Sequence, residues 1–244
     1  MTGAQKWANG LMVATLILAA LAGATVAMAG FGYRWGLWGL DSGFAILPYG
    51  AYGGAAAAVL GLLVGLFAAI KGARVAALLS FAAIAMGGAA LAFPLDLQMR
   101  AKSAPPIHDI STDTIKPPPF VALKALRDAA PNGSGYSGIA AAIQQKQAYP
   151  DIVTMRTGFK APEVLARAQT IARDLGWEIV ATTAEGFEAT VTTAWWGFID
   201  DVVVRLTSEG NDTRVDLRSA SRLGTSDLGV NAQRIRAFMT RFQH

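Results

Sequence analysis

The stretch from Phe44 to Ile70, FAILPYGAYGGAAAAVLGLLVGLFAAI, carries no charged residue and decides the architecture of the first part of the chain. Its length exceeds the roughly 20 apolar residues with which a helix crosses the hydrocarbon core of a bilayer. Two further uncharged stretches flank it, Leu11–Phe31 and Val75–Leu95. Because the rest of the chain is too short to bury three such helices, we predict an all-α transmembrane bundle of three helices over residues 1–97.

The composition excludes several classes of function. Of the 244 residues, 53% are hydrophobic and 16% are charged, against about 25% charged in soluble domains. The 21 Lys and Arg residues stand against 17 Asp and Glu residues without a dense basic block, which argues against nucleic-acid binding. Cysteine is absent and only two histidines occur, His108 and His244. We therefore expect no disulfide, no metal centre and no cofactor.

The basic residues near the ends of the spans predict the orientation in the membrane. Lys6 precedes the first span, and Lys71 and Arg74 occupy the turn between the second and third spans, whereas Arg34 on the opposite side is offset by Asp41. The positive-inside rule then places the N-terminus in the cytoplasm. With three spans, the chain after residue 97 lies outside, in the periplasm if the membrane is the bacterial inner membrane.

Two features of the spans leave alternatives open. Ala27-Met28-Ala29 has the small-x-small pattern of a signal-peptidase site, so the first helix is either an anchor or a cleaved signal; the C-terminal domain is external in both cases. Gly61 and Gly65 form a small-xxx-small pattern, which favours packing within the bundle over contact with a partner. The apolar spans make the lipid bilayer the expected partner, and other membrane proteins are the further expected partners.

A proline-rich extended segment follows over residues 98–120. It carries five of the ten prolines of the chain, including Pro105-Pro106 and Pro117-Pro118-Pro119, and such a density prevents helix formation. Between the two clusters lies Ile107-His108-Asp109-Ile110-Ser111-Thr112-Asp113. This run is too rich in polar side chains for a simple spacer, so we expect it to pack on the folded domain and to place Asp109 or Asp113 against an arginine.

Residues 121–244 are predicted to form an external α+β domain. Short helices are expected over 123–127 and 139–146, and apolar residues recur at helical spacing over 162–175 and 227–242. Between the two longer helices, alternation with a period of two indicates four strands near 177–182, 187–192, 202–206 and 213–221. Short connections predict a four-stranded antiparallel meander with both longer helices on one face.

The second face of this sheet should be polar. We interpret it first as a solvated face with ion pairs between strands. The alternative is a polar floor covered by residues 107–113 or by a ligand. The residues expected there are Glu178, Glu188, Asp201, Arg205, Asp216, Arg218 and Arg222.

Four ordered motifs resemble the DUF1499 family of uncharacterised proteins, over residues 105–242. They are IHDISTD at 107–113 with Pro118-Pro119-Phe120, YPDI at 149–152, TAWWGFIDDVVVR at 193–205 and DLRSASR at 216–222. The resemblance implies a fold and a compartment outside the cytoplasm. It implies no reaction.

The polar residues offer weak candidates for catalysis and a larger set for binding. His108 with Asp109 is the only histidine beside an acid, which makes these two the candidate catalytic residues. Near the last helix, Ser226 is expected to be the N-cap and Arg222 to pair with Asp227 or with acids of residues 107–113. An anion site at this helix N-terminus is the alternative. The candidate binding residues are Asp109, Asp113, Arg205, Asp216, Arg218, Arg222, Asp227 and Asn231.

Three functions fit these patterns. The first is a membrane-anchored accessory module whose periplasmic domain binds a protein or lipid-like partner. The second is a hydrolase-like enzyme of the envelope that uses His108 and nearby carboxylates. The third is a structural subunit of a larger membrane complex.

Overall fold

A computed structural model describes residues 1–243 of the chain. They divide into two compact units. The first holds Met1–Met99 together with Ala194–Gly197, and the second holds Arg100–Thr193 and the chain from Phe198 onward.

Three long helices build the first unit: α1 (Gly3–Arg34), α2 (Leu40–Ile70) and α3 (Arg74–Ser103). Each is long and apolar enough to cross a membrane, which confirms the prediction of three long apolar helices. Small residues bring the backbones of α2 and α3 close together: a Cβ atom added at Gly87 would lie 2.6 Å from the carbonyl oxygen of Gly54. Gly61 and Gly65 meet Ala83 and Ser80 of α3 in the same way, so the small-xxx-small pattern packs inside the bundle.

The 194–197 segment belongs to this unit and contributes two tryptophans. The indole Nε1 of Trp195 donates a hydrogen bond of 2.8 Å to the carbonyl oxygen of Ala27. The Trp196 ring lies 4.7 Å from that of Phe44. The Trp195 indole thus has a partner for its N–H group, and the Trp196 ring packs against an apolar helix.

The second unit is built on an antiparallel sheet of six strands, not the predicted four. The four predicted strands are present and pair in sequence order, and two strands of three residues each pair with the last of them. The two additional strands were missed because three residues are too few to show alternation and both follow proline-containing segments. The strands are β1 (Asp109–Ser111), β2 (Met155–Thr157), β3 (Glu178–Thr183), β4 (Gly186–Thr192), β5 (Ile199–Glu209) and β6 (Asp212–Ser221), in the order β1-β6-β5-β4-β3 with β2 also on β6.

Four helices complete this unit: α4 (Lys124–Asp128), α5 (Gly138–Ala148), α6 (Ala161–Asp174) and α7 (Val230–Gln243). Helices α6 and α7 pack on one face of the sheet, as predicted, and form the main apolar core with it. Its largest members include Trp177 and Phe238, whose rings stack at 5.5 Å.

The other face of the sheet is covered by the chain itself, so the interpretation as a solvated face is wrong. Phe120 and Leu123 pack on Val203 and Ala220 of that face. The covering piece is residues 113–127 rather than 107–113, since part of the latter joins the sheet as β1. The polar residues can be covered because the covering segment brings its own charged and backbone partners.

Candidate functional site

Charged side chains alternate along the centre of the sheet, on the face turned away from α6 and α7. Asp201 and Arg205 lie on β5, Asp216 and Arg218 lie on β6, and the register sets Arg205 opposite Asp216. Since successive strand residues point to opposite faces, a period of two collects these charges on one side. Asp201, Asp216 and Arg218 are buried, so this face carries a buried ionic network.

The Asp109 carboxylate binds the Arg218 guanidinium through two parallel hydrogen bonds. Nε of Arg218 donates to Oδ1 at 2.9 Å and Nη2 donates to Oδ2 at 2.8 Å, and the two side chains are only 1% and 2% exposed. The guanidinium also lies 4.7 Å from the Phe120 ring centre. This two-pronged, charge-assisted pair confirms the expected contact between the 107–113 segment and an arginine of the domain.

Asp201 is the second centre of the network and accepts from two arginines. Arg127 Nη1 donates to it at 2.9 Å, and Arg222 donates through Nε and Nη2, both at 2.9 Å. Burial lowers the pKa of the Arg127 guanidinium despite this carboxylate, whereas the hydrogen bond to Asp201 raises the pKa of Arg222. The expected pairing of Arg222 with Asp227 or with acids of residues 107–113 is wrong. Arg222 follows β6 directly, beside the strand pair that holds Asp201.

A third group lies at the other end of the same face. Arg205 Nη2 donates to Asp113 Oδ2 at 3.0 Å and to Asp216 Oδ2 at 2.7 Å, and Arg214 pairs with the same two carboxylates. Burial raises the pKa of Asp113, but backbone N–H groups of residues 115 and 116 and the charge of Arg214 outweigh it, and the net shift is downward. Both arginines keep about a quarter of their side-chain surface exposed.

Glu188 of β4 binds the backbone of the covering segment, residues 113–127. Its carboxylate accepts the backbone N–H groups of Val121, Ala122 and Leu123 at 2.7, 2.9 and 2.9 Å. A buried carboxylate is stable there because three backbone donors replace its water. Glu188 therefore anchors the turn that leads into α4.

Asn231 of α7 lies on the opposite face and is fully buried, as its place on the apolar stripe predicts. Its Oδ1 accepts from the Ser219 hydroxyl at 2.5 Å, and its Nδ2 donates to the His108 carbonyl and to Ser221 Oγ, both at 3.0 Å. The amide thus joins α7 to β6 and to the residue that precedes β1.

The N-terminus of α7 is closed by Asp227. Its Oδ1 accepts the N–H of Gly229 at 2.9 Å and its Oδ2 accepts the N–H of Asn231 at 2.6 Å. Burial raises the pKa of this carboxyl group. Ser226 is not the N-cap, because the helix begins only at Val230 and the Ser226 hydroxyl donates to the Pro105 carbonyl instead. The position where an external anion would bind holds this carboxylate.

His108 and Asp109 are adjacent in sequence, but their side chains have different partners. The His108 imidazole is hydrogen-bonded to Ser137 Oγ, which lies 3.5 Å from Nε2. The Asp109 carboxylate is turned to Arg218 and also accepts the N–H of Ser137 at 3.3 Å. The two residues that sequence reasoning paired as a catalytic acid and base therefore do not face each other.

One comparison with known proteins decides the family. The sequence model of the family described as "Protein of unknown function (DUF1499)" matches residues 109–242, more than half of the chain. The chain belongs to the DUF1499 family. No curated protein gives a significant match. The matched region begins at β1 and ends in α7, so it covers most of the α+β unit together with the 194–197 segment and excludes the three apolar helices.

Sequence reasoning missed two arginines of the DUF1499 network, the partly exposed Arg214 and the buried Arg127. Arg127 is the more informative of the two. It is 1% exposed, and its guanidinium lies 4.3 Å from the Phe120 ring centre. The available signal was its spacing: Arg127 follows Leu123 by four residues on a short helix, so both share the face that meets the sheet. An arginine on such a face predicts a buried carboxylate opposite it.

The DUF1499 domain also has an open cleft that no sequence pattern indicated. Its volume is about 620 Å³. Met239 and Phe242 of α7 and Val164 of α6 supply apolar walls, and Arg167 of α6 supplies a positive charge. Every residue from Val153 to Thr157 lines the cleft, so β2 borders it along its length. Among residues 1–243, no group of three or more His, Asp or Glu side chains is placed to hold a metal ion.

Proposed function

We propose that the chain is a membrane-anchored binding module whose DUF1499 domain holds a protein or lipid-like partner in this cleft. The observation that carries the proposal is a contrast within the domain. The buried charged residues Asp109, Asp201, Asp216 and Arg218 of the sheet are held in ion pairs, whereas Arg167 of the cleft forms no ion pair among residues 1–243 and lies beside apolar side chains. The cleft is lined by six apolar and six polar residues, and a concave site that combines apolar walls with placed polar groups is the usual form of a binding site.

Catalysis has less support than binding. A general base must reach the proton that it removes, either directly or through one water molecule. Asp109 is engaged by Arg218, and His108 makes its exposed contact with Ser137. A hydrolytic activity on envelope material that is lost on His108→Ala would overturn this assignment and favour the enzyme.

We further propose that the DUF1499 domain lies in the periplasm and the N-terminus in the cytoplasm. The Gln5 side-chain amide donates to the carbonyl oxygen of Lys71 at 3.2 Å, so the start of α1 and the turn between α2 and α3 lie at one end of the bundle. Lys6, Lys71 and Arg74 thus gather on one side, which the positive-inside rule assigns to the cytoplasm. A reporter enzyme that works only in the periplasm should be active when fused after residue 98 and silent when fused in the 71–74 turn. The reverse pattern would overturn the orientation.

Site-specific photo-crosslinking in intact cells tests the cleft. The photoreactive amino acid p-benzoylphenylalanine replaces Phe159, which lines the cleft and is 56% exposed. The matched control places it at Val180 on β3, which is 48% exposed and lies outside the cleft. We expect a discrete adduct from position 159 that is absent from position 180, with its mass identifying a protein or a lipid.

Two outcomes would contradict the proposal. Identical adducts from both positions would mean that neighbours are captured at random. A stable large complex in mild detergent, with no adduct at position 159, would favour a structural subunit that uses another surface.

A further inference from the structure

The edges of the sheet in the DUF1499 domain are not equally protected. An edge strand exposes unpaired N–H and C=O groups to which another strand can add. At β1, the Gln145 amide occupies this position: its Oε1 accepts from Ser111 N at 2.9 Å and its Nε2 donates to Ser111 O at 2.7 Å. At β3, the register shifts between Ile179 and Ala181, and such a bulge disrupts the edge.

The β2 edge has neither protection and opens on the cleft. Among residues 1–243, β2 pairs with β6 alone, so one of its two edges is free. Consecutive residues Val153 to Thr157 all line the cleft. Because successive strand side chains point in opposite directions, a cavity that touches all of them runs along the backbone edge rather than over one face.

Arg167 adds a charge at the far wall of the same cleft. Its guanidinium lies 5.4 Å from the Phe242 ring centre, and it has no carboxylate within ion-pair distance among residues 1–243. Glu163, one turn earlier on α6, also lines the cleft but is not its partner. A half-buried, unpaired guanidinium beside an aromatic ring is a strong hydrogen-bond donor to a carboxylate.

We propose that the cleft binds an extended peptide segment of another protein, which adds to β2 as a further strand and places a carboxylate on Arg167. This inference rests on the proposed function and names the class of partner. Main-chain hydrogen bonds along a strand edge give affinity, and flanking pockets select side chains. A lipid offers no alternating N–H and C=O groups to β2, so the free edge favours a peptide.

Peptide selection on the full-length protein tests the inference. A displayed library of random 12-residue peptides is selected on protein in phosphatidylcholine nanodiscs, with empty nanodiscs as the background. The enriched sequences should share an acidic position or use a C-terminal carboxylate. One enriched peptide, synthesised with fluorescein, then gives a Kd by fluorescence anisotropy.

Two matched changes separate the proposal from chance binding. Arg167→Glu should raise the Kd at least about tenfold, the size expected from losing one charge-assisted contact. Arg173→Glu, on an exposed part of the same helix, should leave it unchanged. Arg167→Gln serves as a milder variant, and circular dichroism establishes that each variant is folded. N-methylation of peptide amides should abolish binding at every second position only, because a strand uses alternate N–H groups.

Each remaining outcome is decisive. Strand addition would be overturned by any of three results: no enrichment over empty nanodiscs, a Kd that is unchanged by Arg167→Glu, or effects of N-methylation that do not alternate along the peptide. A lipid adduct from position 159 together with failed selection would overturn this inference and leave the proposed function intact. The absence of any adduct at position 159 in cells would overturn the proposed function and, with it, this inference.

Discussion

Removal of the Asp109 carboxylate is the sharpest test of the buried network. In Asp109→Ala, the backbone pairing of β1 with β6 can persist, since it does not involve the side chain. Arg218 then keeps its hydrogen bonds to the carbonyl oxygens of Pro118 and Gly135 but loses its counterion. The perturbation therefore removes one buried ion pair together with the acceptor of the Ser137 N–H.

The magnitude follows from burial. Removing one partner of a buried ion pair costs about 3–5 kcal/mol, because the remaining charge stays in a medium of low dielectric. Asp151 provides a matched control: it also binds one arginine, Arg236, through two hydrogen bonds of 2.6 Å. Its side chain is 53% exposed, and exposed pairs contribute about 1 kcal/mol or less. Asp109→Ala should thus cost at least about 2 kcal/mol more than Asp151→Ala.

Pulse proteolysis in urea measures this difference on the full-length protein in detergent. It reports the fraction of α+β domain that is unfolded while the apolar helices remain in the micelle. With about 1–3 kcal/mol lost per molar urea, the midpoint of Asp109→Ala should fall about 0.7 M or more below that of Asp151→Ala. Equal midpoints for the two variants would refute the claim that the network holds the domain together.

Three further predictions concern other parts of the chain. Asn231→Leu leaves the partners of its amide without a hydrogen bond and should lower the free energy of unfolding by about 1–3 kcal/mol in the same assay. Gln233→Leu, at an exposed position of the same helix, should lower it little, and equal losses would mean that the Asn231 amide is dispensable. The pKa of Asp113 is lower in the folded state than in the unfolded state, so its contribution to stability is present above pH 4 and is lost as the pH falls through the lowered pKa. Asp113→Asn should therefore reduce the loss of stability with falling pH on the acid side, and an unchanged pH dependence of stability would contradict this. Gly87→Leu should lower the thermal stability of the helices seen by circular dichroism, since its Cβ meets the backbone of α2, while Gly88→Leu, with nothing within 4 Å, should not; similar effects would contradict the packing.

The elements with a long, regular pattern were predictable from the sequence. The three spans, helices α6 and α7, and the four meander strands each carry enough residues for a period to be read. Strands β1 and β2 were not predictable, because three residues show no period and their pairing with β6 depends on contacts far along the chain. Side-chain alternation indicated which charges share a face but not what covers that face.

The candidate site shows the same limit. Sequence reasoning placed Asp109 against an arginine and Asn231 in the core, because each conclusion needs only local pattern and polarity. It missed Arg127, because the contact of Arg127 with Asp201 depends on where the covering segment packs on the sheet. It missed the cleft, because the cleft depends on where β2 joins the sheet. The cap of α7 was assigned to Ser226 instead of Asp227 because a residue with positive φ, Leu228, delays the helix start.

The polar character of the 109–113 run has a structural explanation. Strand β1 has only three residues, so few backbone hydrogen bonds hold it. Its side and main chains supply the rest: Asp109 binds Arg218, Ser111 binds Gln145, and Asp113 binds Arg205. A motif whose groups are all used to fasten the chain to its own sheet requires no substrate to account for it. Binding by the DUF1499 domain is therefore to be sought where this motif does not reach, along the free edge of β2.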